Sequence, residues 1–314
     1  MANLLSAIQW KYRPIPTGAA SGQINLSIGE VGSGGPVALV TAGIHGDEGP
    51  WGAWAIRKLL ERTALEDLRG TLRIVPNANP LAMEADARNA PLDVLDLNRV
   101  FPGDAYGSHT ERLAAVLVEH ALAGATVAID LHGGGSWCVN AFAFLMAGGE
   151  ALSRAFNPPF LMGGPDRTVT LTGYARSQGA TVAAVEMGGK SLQEEIWAER
   201  IATGLRRALG IAGVLSPVTT PDTYNSVLVR DSIVLRPSQG GFFMPKVRAE
   251  SVGTIVPGGT VLGELIDPLT LDVVETFTAP FTQTALLLLR PHVTRIEGGA
   301  MTYVVAEPTS DSET

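Results

Sequence analysis

Five short apolar runs, alternating with helical patterns, constrain the first two thirds of this 314-residue chain more than any other feature. They are residues 37–42 (VALVTA), 71–75 (TLRIV), 126–131 (TVAIDL), 142–146 (FAFLM) and 181–186 (TVAAVE). Each is too short for a helix and rich enough in β-branched or aromatic residues to form a strand covered on both faces. After the first, Pro50 suits a first helical turn, and Trp51, Ala55, Ile56, Leu59 and Leu60 lay out one apolar helical face. Further helical patterns fill 108–122 and roughly 192–209. This alternation predicts an α/β/α sandwich around a parallel or mixed sheet, spanning residues 1–214.

The pattern changes after Gly210. Residues 215–224 (LSPVTTPDTY) read as a linker, with two prolines and several hydroxyl side chains. From Ser226 the chain shows short strand-like runs punctuated by Gly and Pro, and no convincing helix. A small all-β domain is expected over 226–306, followed by a polar, disordered tail at 307–314.

Composition narrows the partners. A formal net charge of −8, with no basic patch, argues against nucleic acid. The lone cysteine, Cys138, allows no intrachain disulfide, which fits a reducing cytoplasm. The N-terminus has no signal-peptide pattern, and no apolar stretch approaches the ~18 residues of a membrane helix. A cytoplasmic protein that avoids membranes is the expectation; exposed β-domain strands could pair subunits into a homo-oligomer.

The chemistry is carried by Gly43-Ile44-His45-Gly46-Asp47-Glu48, where the first strand gives way to a helix. His45 and Glu48, three residues apart, can reach one ion, and His132 in Asp130-Leu131-His132 leaves the end of another strand. Two imidazoles and a carboxylate suit a catalytic zinc ion, which takes three protein ligands and keeps one position open. Glu186, followed by Met187-Gly188-Gly189, could serve as a proton carrier; from spacing alone it could equally cap nearby backbone N–H groups. Asp96-Leu97-Asn98-Arg99 offers a guanidinium beside an amide, a good carboxylate receptor, although an Asp–Arg surface pair fits too. Arg88, upstream in the same loop-like stretch, could polarise a carbonyl.

Taken in order, Gly43 to Glu48, Arg88 through Asp96-Leu97-Asn98-Arg99-Val100-Phe101-Pro102-Gly103, Asp130-Leu131-His132 and Val185 to Gly189 resemble the succinylglutamate desuccinylase/aspartoacylase family, relatives of the zinc carboxypeptidases. The resemblance implies a carboxypeptidase-like α/β/α fold with one zinc per subunit on His45, Glu48 and His132. It implies Glu186 as general acid/base, Arg88 as carbonyl polariser, and Asn98 with Arg99 gripping a substrate carboxylate. Tyr174 and Arg176 occupy the region where some members carry further substrate contacts, although the local match is loose. Asp130 is placed to orient a zinc-bound histidine or simply to end a strand. The implied activity is zinc-dependent deacylation of a small N-acyl amino acid or N-acyl diamino acid. A metallocarboxypeptidase for short peptides and an inactive metal- or metabolite-binding homologue are the alternatives.

The remaining candidates are weaker. His109 and His120 suit helix packing, His292 suits a solvated surface, and Cys138 could line a pocket without acting as a nucleophile. Residues 252–263 with Thr278-Ala279-Pro280 resemble a biotinyl/lipoyl-type hammerhead. Lys246 lacks the methionine flanks of a carrier lysine, so a structural or pocket-shaping role is expected there.

Overall fold

A computed structural model describes residues 2–17, 24–164, 167–219 and 225–309. The first eight strands are β1 (Gln9–Ile15), β2 (Ile24–Val31), β3 (Val37–Ala42), β4 (Thr71–Val75), β5 (Val127–His132), β6 (Val139–Leu145), β7 (Phe160–Gly163) and β8 (Thr181–Gly189). The later eight are β9 (Val227–Leu235), β10 (Gly241–Pro245), β11 (Ile255–Pro257), β12 (Val261–Ile266), β13 (Val273–Thr278), β14 (Gln283–Leu289), β15 (Thr294–Ile296) and β16 (Tyr303–Pro308). The helices are α1 (Leu4–Ala7), α2 (Gly49–Arg62), α3 (Pro80–Glu84), α4 (His109–Leu117), α5 (Glu150–Ala155), α6 (Leu171–Ser177) and α7 (Glu194–Ile211).

Twelve strands form one sheet in the order β1-β2-β4-β3-β5-β8-β6-β7-β9-β16-β14-β11, and β13-β12-β10-β15 form a second. The centre, β4-β3-β5-β8, is parallel, and β6 joins β8 antiparallel, so the sheet is mixed. Side chains of the central strands alternate between two cores. In β3, Ala38, Val40 and Ala42 pack with α2, α5 and α7, while Leu39 packs with Leu113 and Leu117 of α4 and Leu171 and Ala175 of α6. That is the helix–sheet–helix layering expected of strands apolar on both faces. On one outer layer Lys58 of α2 bonds Glu199 of α7 at 2.7 Å. The 108–122 helix is split: α4 runs to Leu117, and Val118–Leu122 continues as a π-helical turn.

The C-terminal strands are divided between the two sheets. β9 extends the sheet from β7, and β14 returns to pair with Val139 and Asn140 of β6, closing β6-β7-β9-β16-β14 into a barrel-like ring. Residues 225–309 contain strands and a 3-10 turn at Ala249–Ser251 but no α-helix, yet Phe243, Leu262, Phe277 and Tyr303 share one core with α2 and α7. The expected disorder from 307 is corrected at its start: Glu307 and Pro308 belong to β16, paired with Arg230 and Val229. Residues 310–314 and part of the expected linker, 220–224, lie outside the described residues. Among the described residues no helix is long and apolar enough to cross a membrane.

One close approach links fold to site. Gly43 turns the chain out of β3 at φ 74°, a conformation open to glycine. The 3-10 turn Gly46–Glu48 then presses Gly46 against α3, where a Cβ would lie 2.0 Å from the backbone of Ala82. Backbone cannot move aside as a side-chain tip can. Gly46→Ala is therefore expected to cost about 1–3 kcal/mol in urea unfolding, and a midpoint equal to wild type would contradict this packing.

Candidate active site

β3 and β5 are adjacent and parallel, so the residues leaving their carboxyl ends emerge side by side, where open α/β sheets place ligands. His45 follows β3, and His132 ends β5. Between them Glu48 reaches back: its Oε1 lies 2.9 Å from His45 Nδ1 and its Oε2 2.9 Å from His132 Nδ1. One ligand atom from each of the three residues lies within 4.8 Å of the other two, close enough to share a metal ion. All three side chains are at least nine-tenths buried.

The outward ring nitrogens fit the same reading. His45 Nε2 lies 3.1 Å from Asp96 Oδ1, and His132 Nε2 lies 2.8 Å from Asp130 Oδ2, while the Thr41 hydroxyl donates to Asp130 Oδ1 at 2.6 Å. A carboxylate on Nε2 keeps the proton there and points the Nδ1 lone pair inward, the usual support for a metal-binding histidine. Burial resists protonation of both rings. Glu48 and Asp96 together outweigh it at His45, and Asp130 with Glu48 and Glu186 outweighs it at His132, so both take up protons more readily than a free imidazole. Glu48 itself is held well below the usual carboxylate range, its burial outweighed by the two rings. Arg88 bonds Glu48 and Asp96, and the gathering of Asp96, Asp130, Glu48 and Glu186 around two imidazoles suits a divalent cation.

Glu186 is registered directly beside His132 across the β5–β8 ladder, and Asn140 Nδ2 donates to its Oε2 at 2.8 Å. β8 continues past it to Gly189, so Glu186 stands within the strand rather than at its end, where capping would have placed it. Burial pushes its carboxyl up to about 7, against the pull of His132. Arg88 bonds Asp96 Oδ2 at 2.9 Å and Glu48 Oε1 at 3.3 Å. Asn98 Nδ2 lies 3.3 Å from His132 Nε2, its Oδ1 accepts from Leu171 N–H at 2.9 Å, and its carbonyl accepts from Arg99.

These groups open onto a cavity of about 500 Å³. Arg88, Asn98, Arg99, Glu186, the two histidines and Glu48 all line it, as does Cys138, whose Sγ donates to the Gly134 carbonyl at 2.9 Å. Tyr174 and Arg176 do not line it, a correction to the sequence reading. The first turn of α6 faces the cavity through Thr172, and Tyr174 falls on the opposite side, packed against the core beneath α4. Arg167 and Thr170 occupy the wall instead. Asp96, Asn140 and Arg167 had no role assigned from sequence. Asp96 lay within the quoted motif, and Asn140 interrupts an apolar strand, which was a usable signal; Arg167 carried none. Of the weaker histidines, His109 is buried without a ring partner, His120 lies 3.7 Å from Glu119, and His292 contacts the Lys190 carbonyl. Lys246 pairs with Glu264 at 2.7 Å.

With this geometry in place, comparison with known proteins defines the class. Residues 34–211 match the succinylglutamate desuccinylase/aspartoacylase catalytic domain, and the chain belongs to that family. It is 45% identical over 101 residues to an N-alpha-acetyl-L-2,4-diaminobutyric acid deacetylase of Halomonas elongata. That match covers 32% of this chain and 29% of the relative, well short of the relative's whole length. A succinylglutamate desuccinylase from Silicibacter sp. superposes with TM-score 0.81 at 24% identity, over 96% of this chain and 95% of the other. The product-bound ectoine utilization protein of Ruegeria pomeroyi gives TM-score 0.80 at 25% identity, over the same shares.

Two outcomes test the site. Asp130→Asn should weaken metal affinity about 10–100-fold in a competition titration. In metal-free protein, Glu186 releases its proton near pH 7 when folded and near 4.5 when unfolded, so the folded state holds the extra proton between those values. Its contribution to stability therefore falls as pH rises through that window, by up to about 3 kcal/mol. The stability of Glu186→Gln relative to wild type should rise from pH 4.5 to 8, and a pH-independent difference would refute the assignment.

Proposed function

We propose that this protein is a zinc-dependent amidohydrolase that removes the acyl group from a small N-acyl amino acid or N-acyl diamino acid. The observation that carries the reading is Glu48 lying between two Nδ1 atoms whose far ring nitrogens are both held by carboxylates. A nitrogen/oxygen donor set of this kind suits zinc. The deacetylase name of the Halomonas elongata relative supports an amide substrate.

Bound there, zinc would supply Lewis acidity, polarising an amide carbonyl and acidifying water. Glu186, held by Asn140 with its proton affinity raised by burial, takes the proton of the attacking water and returns it to the departing amine nitrogen. A carboxyl that titrates near neutrality suits both halves of that transfer. Arg88, fixed by Asp96 and Glu48, keeps further N–H groups for the oxygen that gains charge at the carbonyl. Asn98 holds its place through Leu171, and Arg99 at the cavity mouth receives the substrate carboxylate.

Glu186→Gln should retain stoichiometric zinc by elemental analysis while kcat on N-acetyl and other N-acyl amino acids falls about 10²–10⁴-fold. Turnover within a few-fold of wild type would remove Glu186 from the proton-transfer role.

A further inference from the structure

The cavity lining carries exposed arginines and an apolar wall. Arg99, Arg167 and Arg236 have exposed side chains, so their guanidinium groups belong to the mouth. Beyond Glu186 the lining changes. Along β6, Asn140, Phe142 and Phe144 fall on one face, and Met146 follows. Phe142 is registered opposite Glu186, and Phe144 opposite Ala184, whose small side chain leaves room before it. Met162, paired with Phe144 on β7, extends the same wall. Phe142 and Met146 are buried, while Phe144 and Met162 are partly so.

From Phe142 to Met146 the wall runs about 13 Å at the usual strand rise, much longer than an acetyl methyl group. A carboxylate laid against it would lose its water to apolar side chains and would lie near Glu186, which is costly. An aromatic or branched aliphatic group would meet ring faces and thioethers.

We propose that this wall is an acyl pocket selecting uncharged apolar acyl groups larger than acetyl, of phenyl size, and rejecting carboxylate-bearing acyl groups such as succinyl. The inference rests on the amide-hydrolase reading for its orientation, with the amino-acid carboxylate at the arginine-bearing mouth and the acyl group in depth.

The test uses one amino acid acylated with acetyl, butanoyl, phenylacetyl or succinyl groups, assayed with the zinc-loaded enzyme. Phenylacetyl should exceed acetyl at least about tenfold in kcat/KM, with succinyl lowest. Phe144→Ala and, independently, Met162→Ala should each reduce the phenylacetyl-to-acetyl ratio several-fold, mainly through KM. Equilibrium dialysis of the phenylacetyl and succinyl conjugates against Glu186→Gln gives a readout without turnover. Acetyl or succinyl conjugates equal to or better than phenylacetyl would overturn the acyl pocket. If no conjugate is hydrolysed but phenylacetyl binds more tightly, the pocket stands and the hydrolase reading falls. If no conjugate binds, the pocket is wrong.

Discussion

The site depends on the placement of one carboxylate between two imidazoles. Glu48 is the only side chain that contacts both His45 and His132 among the described interactions, and it can do so because a 3-10 turn follows β3 immediately. Three anions then converge on two rings, an arrangement that burial would oppose without compensating charge. Arg88 supplies part of that compensation, and a bound dication would supply the rest. The parallel pairing of β3 with β5 brings the chain leaving β3 beside His132, and β5 could not slip by one residue without turning the His132 ring to the other face.

Much of this was legible in the sequence because it lies on regular elements. The strands at 37–42 and 71–75 appear with the boundaries expected from their apolar runs, and α7 nearly so. Both histidines follow strands that are short, apolar and central, where pattern alone gives direction. The HxxE spacing then identifies which side chains can meet. Glu186 was legible as a candidate and ambiguous as a role, because only the β5–β8 register places it beside His132.

The rest required long-range pairing. β1 and β2 alternate weakly, with β1 largely exposed on the sheet edge, so they lack a buried strand's signature. The closing of the barrel-like ring pairs Leu288 with Asn140, a contact that no local periodicity encodes. Within 226–237 the charged pair Arg230-Asp231 interrupts the apolar pattern, which suggests two short strands. The chain instead passes through Asp231 at φ 47° as one strand, β9. Tyr174 was misplaced for a related reason: a loose motif match gives sequence position, while the face of a seven-residue helix decides what its side chain meets.

The edge of β6 is forked: Val139 and Asn140 pair with β14, while Phe142 to Leu145 pair with β7. His45, Glu48, His132 and Glu186 are all made when β8 leaves the ribosome, yet β14 arrives about a hundred residues later. Contacts of such sequence separation form slowly. The growing polypeptide would thus carry these side chains well before Leu288 of β14 and Val304 of β16 complete the cavity wall beside them.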